Sequence, residues 1–350
     1  MLRILVMGAG AIGGFVGGSL AAAGHQVTLV GRQPLMDTIT ANGLQLGWPG
    51  QPAKIARPQA TSTVPETPFD YILLTVKAPA TATAAGQLAP LLAQLPDTCV
   101  VSLQNGIGNE ETLVDAFGPA RVMAGTITIP IEVPAAGVIK VSKAKGGLGL
   151  AALSPEQPVQ QLADALTGAG LPTQSYANWR AMKWSKLLLN IINNASSAIL
   201  DMTPAEIIAQ PALFNLEIAA LQEGVAVMRA QNMAAVKLPG YPANLLATLV
   251  SAGWLPLAAK RAILRPFMLS GRGTKMPSLH IDVASGRPTS EIEALNGAIV
   301  RAGQAAGVPA PVNRALTETL AGIIAGRLNR NDFRHQPDKL LAEVAARRNE

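Results

Sequence analysis

Cysteine is nearly missing from this chain: Cys99 is the only one in 350 residues. A single thiol excludes a disulfide framework and a cysteine-built zinc site. Cys99 opens the apolar run Cys99-Val100-Val101-Ser102-Leu103, which reads as a strand with a buried structural thiol. Histidine is almost as scarce. His25, His280 and His335 are scattered without metal-ligand spacing, so no metal is expected. Aromatic residues make up only 4%, and no basic stripe is interleaved with them. The net charge of +6 therefore lacks the pattern of a nucleic-acid surface, and no nucleic-acid partner is expected. Long apolar runs are lacking too. The most apolar helical segment, near 187–200, is interrupted by Asn190, Asn193 and Asn194, which are costly in lipid, and no membrane association is expected. The N-terminal apolar run is only a strand long, too short for a signal peptide, which makes the cytoplasm the expected compartment.

What is present starts at once. The strand Leu2-Arg3-Ile4-Leu5-Val6-Met7 runs into Gly8-Ala9-Gly10-Ala11-Ile12-Gly13, a G-x-G-x-x-G turn, and an alanine-rich helix is expected over 12–23. Gly8 permits the tight turn, Gly10 admits a pyrophosphate against bare backbone, and Gly13 lets the helix pack on the strand. The helix N-terminus offers free N–H groups and a positive dipole end to phosphate. With a second strand at 26–30, this is the order of a dinucleotide site floored by Gly8, Ala9, Gly10, Ala11, Ile12 and Gly13. The second strand ends Val30-Gly31-Arg32-Gln33, with no acid before Asp37 to hold a ribose 2′-hydroxyl. An arginine fork pairs well with a 2′-phosphate, so NADP(H) is favoured. The alternative is that Arg32 is an ordinary solvated loop arginine.

The chain is 49% hydrophobic and long enough for two domains. In the first half strands alternate with helices, the mark of a parallel, doubly wound sheet. Further strands are expected near 70–76, 98–103, 122–129, 137–141, 148–151 and 171–176, and helices near 79–94 and 159–168. A turn-rich stretch passes through Gly43, Gly47, Pro49 and Pro52. Lys77 and Asn105 sit at strand carboxyl ends, where such sheets bind ligands. From about Asn178 strand signals vanish. Helices are expected over 179–200, 204–208, 212–231, 242–250, 256–267, 290–303 and 311–326, with a charged, partly mobile tail beyond Leu328. The expected division is 1–176, binding dinucleotide, and 177–350, helical, with an active site in the cleft between them.

Within 179–200, Lys186, Asn190 and Asn194 recur at i, i+4 and i+8, a polar stripe on a helix otherwise lined by Leu and Ile. Buried unpaired amides and amines are costly. The stripe therefore faces either a wet, substrate-holding cleft or plain solvent and backbone partners. Lys183 and Asn193 lie beside it and read as surface or support. Further on, Ser290 and Glu293 have capping-box spacing that would start a helix with Glu291 in its first turn. Asp282 and Arg287 are suited to fixing the loop before it, and Ser278 follows a proline as an ordinary cap would.

Together these features resemble the ketopantoate reductase family. The resemblance spans nearly the whole chain. It rests on the glycine turn, Leu74-Thr75-Val76-Lys77, Gln104-Asn105-Gly106, the Lys186, Asn190 and Asn194 stripe, and the block from Pro277-Ser278 and Asp282 through Gly286-Arg287-Pro288-Thr289 to Glu291-Ile292 and Leu295-Asn296-Gly297. It implies an N-terminal Rossmann-type doubly wound sheet followed by an all-α C-terminal domain. It also implies NADPH-dependent reduction of the C2 ketone of 2-dehydropantoate to (R)-pantoate, for pantothenate and coenzyme A synthesis. By the same resemblance Lys186 is the general acid, Asn190 and Asn194 hold the substrate's hydroxyl and ketone oxygens, and Ser278 binds its carboxylate. Glu291 would contact the cofactor's ribose region and Lys186. Lys77 and Asn105 would line the nicotinamide end, Asn105 touching both ligands, and Arg32 would read the 2′-phosphate. The positive net charge then has a simple account in an anionic cofactor and an anionic 2-keto acid substrate. Two other readings stay open: an NADPH-dependent reductase of another 2-keto acid, and an NADPH-binding sensor without turnover. Helical second domains often pair subunits, which leaves a homodimer open.

Overall fold

A computed structural model of the chain describes residues 1–270 and 275–348. The chain forms two compact units, one of Met1–Gln104, Gly108–Lys183 and Leu238–Tyr241, the other of Asn105–Ile107, Trp184–Lys237 and Pro242–Glu350.

The first unit opens with β1 (Arg3–Met7), α1 (Ala11–Ala22), β2 (Gln26–Val30) and α2 (Gln33–Asn42). Three short strands follow, β3 (Leu44–Gly47), β4 (Lys54–Ala56) and β5 (Gln59–Thr61), then β6 (Tyr71–Leu74), α3 (Thr81–Gln94) and β7 (Cys99–Ser102). After these come α4 (Asn109–Phe117), β8 (Val122–Ile127), β9 (Ile131–Ala135), β10 (Val138–Val141), β11 (Leu148–Ala152), α5 (Val159–Gly168) and β12 (Thr173–Ser175). Eight strands make one sheet in the order β12-β11-β8-β7-β6-β1-β2-β5. All neighbours are parallel except β8 and β11. The central strands are apolar on both faces because both are covered. Ile4, Val6, Tyr71, Leu73 and Val101 enter one core, while Leu5, Met7, Ile72, Leu74 and Val100 enter another. The strand order reverses at β1, so the turns after β1 and β6 flank the switch point where ligands of such sheets sit.

The turn-rich stretch of the sequence is more ordered than expected. It holds α2, anchored by only two buried residues, Met36 and Ile39. It also holds half of a second sheet, β4-β3-β10-β9, which packs on α1. The strands of that sheet have three to five residues, too short for a period-2 pattern to stand out. Helix α4 also escaped the sequence reading.

Helix α6 (Trp179–Ile191) leads the chain into the second unit. There follow α7 (Asn194–Leu200), α8 (Pro204–Ala209), α9 (Pro211–Ala230), α10 (Ala243–Ser251), α11 (Leu257–Ser270) and α12 (Ser278–Ala284). The last helices are α13 (Asn296–Ala306), α14 (Pro311–Ile324) and α15 (Pro337–Arg348). Its core joins Trp184, Leu187, Leu188 and Ile191 of α6 to the apolar faces of α9, α13 and α14. The expected fold class is therefore the observed one, a doubly wound sheet and an all-α part.

Three expectations are corrected here. The helix over 179–200 is two helices, broken at Asn193, whose φ of 54° is left-handed. The buried carboxylate of Glu217 on α9 accepts hydrogen bonds from Asn193 N at 2.7 Å and Ser196 Oγ at 2.5 Å, capping α7 from outside. The capping box at Ser290 does not form. Ser290 Oγ accepts the Ile292 N–H, Glu293 pairs with Arg301, and the helix starts six residues later at Asn296. The tail is not loose: α15 packs on α14 and α9, with Leu340 and Val344 buried and Arg347 paired to Glu318 and Glu343.

Candidate functional site

The glycine turn is held from both neighbouring strands. Gly8 N and Ala9 N donate to Val30 O at 2.9 and 3.2 Å, and Thr75 Oγ1 donates to Gly8 O at 2.6 Å. Gly8 has a φ of 110°, and a Cβ there would lie 2.8 Å from Val76 N. A Cβ on Gly13 would lie 2.1 Å from Gly8 O. Both glycines are thus required by the protein's own packing. Gly10 is not: a Cβ there would meet nothing within 4 Å. It stands at the N-cap of α1 with no side chain capping the exposed N–H groups. A glycine with free space at an uncapped helix N-terminus fits a phosphate-bearing ligand lying on the backbone.

Arg32 is exposed at the N-cap of α2 and forms no ion pair among the described residues. The nearest acid in sequence, Asp37, accepts from Gln33 Nε2 at 2.6 Å. Lys77, half-buried, ends the turn after β6 at the start of a short 3₁₀ turn, Ala78–Ala80.

In the second unit four of the expected residues form one chain of hydrogen bonds. Asn190 Nδ2 donates to Asn105 Oδ1 at 3.1 Å. Asn194 Nδ2 donates to Asn190 O at 3.1 Å and lies 3.4 Å from Ser278 Oγ, while Asn194 Oδ1 accepts the Leu279 N–H at 3.1 Å. Asn194 thus leaves the helix of Lys186 and Asn190, yet its amide bonds back to that helix. Lys186 is half-buried one turn before Asn190. Glu291 is 7% exposed, at the head of a turn closed by Leu295 N donating to Glu291 O. This turn docks on the Asn105 loop, where Ile107 N donates to Ala294 O at 2.9 Å. Gly106, at φ 87°, passes so close that a Cβ would lie 2.6 Å from Ala294 O. Arg287 pairs with the buried Asp282 at 2.7 Å, fixing the loop after α12 as expected.

Lys183 does not belong to the surface. It is 2% exposed and lies 2.7 Å from Glu110 Oε1. Its partner Glu110 has no signal in the sequence, and Gln104 beside them is given no role of its own there. The one available signal was Gln104's place in the Gln104-Asn105-Gly106 block.

Residues 4–154 match the family model described as ketopantoate reductase PanE/ApbA, and residues 178–323 match that of its C-terminal part. The chain belongs to the ketopantoate reductase family. Within this oxidoreductase family, a 2-dehydropantoate 2-reductase of Pyrococcus abyssi is 29% identical over 323 residues, covering 92% of this chain and 97% of the relative. A PanE/ApbA family ketopantoate reductase from Ralstonia eutropha is 30% identical in its crystal structure, with a TM-score of 0.77, covering 93% of this chain and 99% of that one. A D-mandelate dehydrogenase solved with NADH and anilino(oxo)acetate has the same TM-score and the same coverage at 24% identity, a likeness of fold. No helix among the described residues of this ketopantoate reductase family member is long and apolar enough to cross a membrane.

Proposed function

We propose that this chain reduces 2-dehydropantoate to (R)-pantoate with NADPH. The observation that carries the reading is the linked set Asn105, Asn190, Asn194 and Ser278, with Lys186 one turn away, in a member of this family. The first unit holds the dinucleotide: Gly8 to Gly13 take the pyrophosphate on bare backbone and the α1 N-terminus, and Arg32 pairs with the 2′-phosphate. Lys77 and Asn105 border the nicotinamide end. The reduced nicotinamide, when bound, supplies a hydride to the substrate's C2. Lys186 stabilises the developing alkoxide and gives it a proton from Nζ. Asn190 and Asn194 orient the ketone and hydroxyl oxygens, Ser278 binds the carboxylate, and Glu291 sets the position and charge of Lys186.

The test is loss of NADPH absorbance with 2-dehydropantoate, beside a panel of other 2-keto acids and beside NADH. Turnover with 2-dehydropantoate and NADPH is expected. Turnover confined to another 2-keto acid would keep the lysine chemistry and replace the substrate. NADPH binding without turnover on any 2-keto acid would overturn the reading in favour of a sensor.

A further inference from the structure

Lys183 stands three residues before Lys186 on α6, and nothing in the reductase reading uses it. Its ammonium has three protons to give. Three oxygens surround it: the Gln104 carbonyl at 2.6 Å, the Gly125 carbonyl at 3.2 Å and the Glu110 carboxylate at 2.7 Å. A buried ammonium held by two hydrogen bonds to carbonyls and an ion pair to a carboxylate is committed to the protein's own oxygens, which separates Lys183 from its neighbour. Stability is a poor reason for the pair, since buried ion pairs are often no better than apolar residues of the same volume. What it holds is more informative. The Gln104 carbonyl shares a rigid peptide plane with the N–H of Asn105. The Gln104 side chain reaches the other way: Nε2 donates to Val76 O at 2.9 Å and to Thr81 Oγ1 at 2.8 Å. Thr81 Oγ1 in turn donates to Ala78 O at 2.8 Å. Val76 and Ala78 flank Lys77. One buried ammonium and one buried amide therefore tie down the two turns that bear Lys77 and Asn105.

We propose that Lys183, balanced by Glu110, is a positioning residue: it fixes the Gln104–Asn105 peptide, and Gln104 extends the restraint to the Lys77 turn. The inference rests on the reductase reading. Lys183→Met alone strands a buried carboxylate, so the informative variant of the full chain is Lys183→Met/Glu110→Gln, which removes both charges at similar volume. Its Tm is expected within about 5 °C of the wild type. Its kcat/KM for the 2-keto acid is expected to fall by about tenfold or more, since small misplacements of orienting groups cost that much. Amide exchange over Leu103–Ile107 is expected to quicken by about tenfold or more as that segment opens locally. Wild-type turnover and exchange in the variant overturn the inference, and so does faster exchange with unchanged turnover. Should the double variant unfold, Gln104→Met, which cuts only the tie to Val76 and Thr81, is read the same way. A wild-type protein silent on every 2-keto acid overturns the reductase reading itself and takes this inference with it; activity lost only in the variant cannot be mistaken for that.

Discussion

Gly8, Gly10 and Gly13 are the same letter in one motif, but they are there for different reasons. Two are demanded by the chain's own packing; Gly10 is demanded by nothing in the protein. Gly10→Ala is therefore expected to leave Tm within about 2 °C of the wild type while weakening NADPH by about tenfold or more, because the new methyl stands where a pyrophosphate would lie. Thermal melts and fluorescence titration check both halves. Arg32→Ala is expected to weaken NADPH far more than NADH; equal weakening in the two titrations would remove the 2′-phosphate from its account. Lys186→Ala should lower kcat by about a hundredfold or more with NADPH affinity kept, the usual worth of a general acid. If steady-state rates barely change, the proton comes from elsewhere. At this scale the sequence was legible wherever a residue's reason is local. Lys183 was not, because its reasons, Glu110 and the carbonyls of Gln104 and Gly125, lie 58 to 79 residues away for the two carbonyls.

The break at Asn193 is the element-scale counterpart. Residues 179–200 look like one helix because each has tolerable helix propensity and the apolar period runs on. The left-handed residue and the restart are imposed by Glu217 on α9, a partner no local pattern can announce. Asparagine tolerates the left-handed region where alanine does not. Asn193→Ala is thus expected to lose about 1–2 kcal/mol in urea unfolding, while Asn193→Gly, free of that backbone cost, should be the milder change and keep turnover. Equal losses would mean that the backbone conformation is not what the residue supplies. The capping box that failed at Ser290 teaches the same lesson. Its spacing was right, but Glu293 pairs with Arg301, and the helix begins where Asn296 Nδ2 reaches Asn313 Oδ1 at 2.9 Å.

At the scale of the folded chain, Asp201 gathers distant parts of the second unit. It ends α7 and pairs with His280 of α12 and with Arg330 and Arg334 of the segment before α15. The hydrogen bond from His280, and then the charges of Arg330 and Arg334, hold its carboxyl below the ordinary value against the opposing effect of burial. A lowered folded-state pKa means that the unfolded chain binds the proton more readily. Stability from this group is complete above the unfolded value, about 3.9, and is lost as pH falls through the folded one. Urea midpoints at pH 6 and pH 3 should therefore drop further in the wild type than in Asp201→Asn. Identical drops would leave the cluster without a part in acid unfolding.

By itself the sequence determined the alternation of the main strands and helices of the first unit and the run of helices after it, the glycine turn, the missing acid after β2, and the i, i+4, i+8 spacing of Lys186, Asn190 and Asn194. These are fixed by neighbours within a few residues, where periodicity and turn chemistry act. Only the tertiary structure decided that Gly10 is spared by the protein's own packing. It alone decided that the polar stripe runs over two helices and that Lys183 is sealed inside with Glu110. It also turned the charged tail into a packed helix. Each of these depends on a partner far along the chain, and a buried charge or a broken helix is stable only once that partner has arrived.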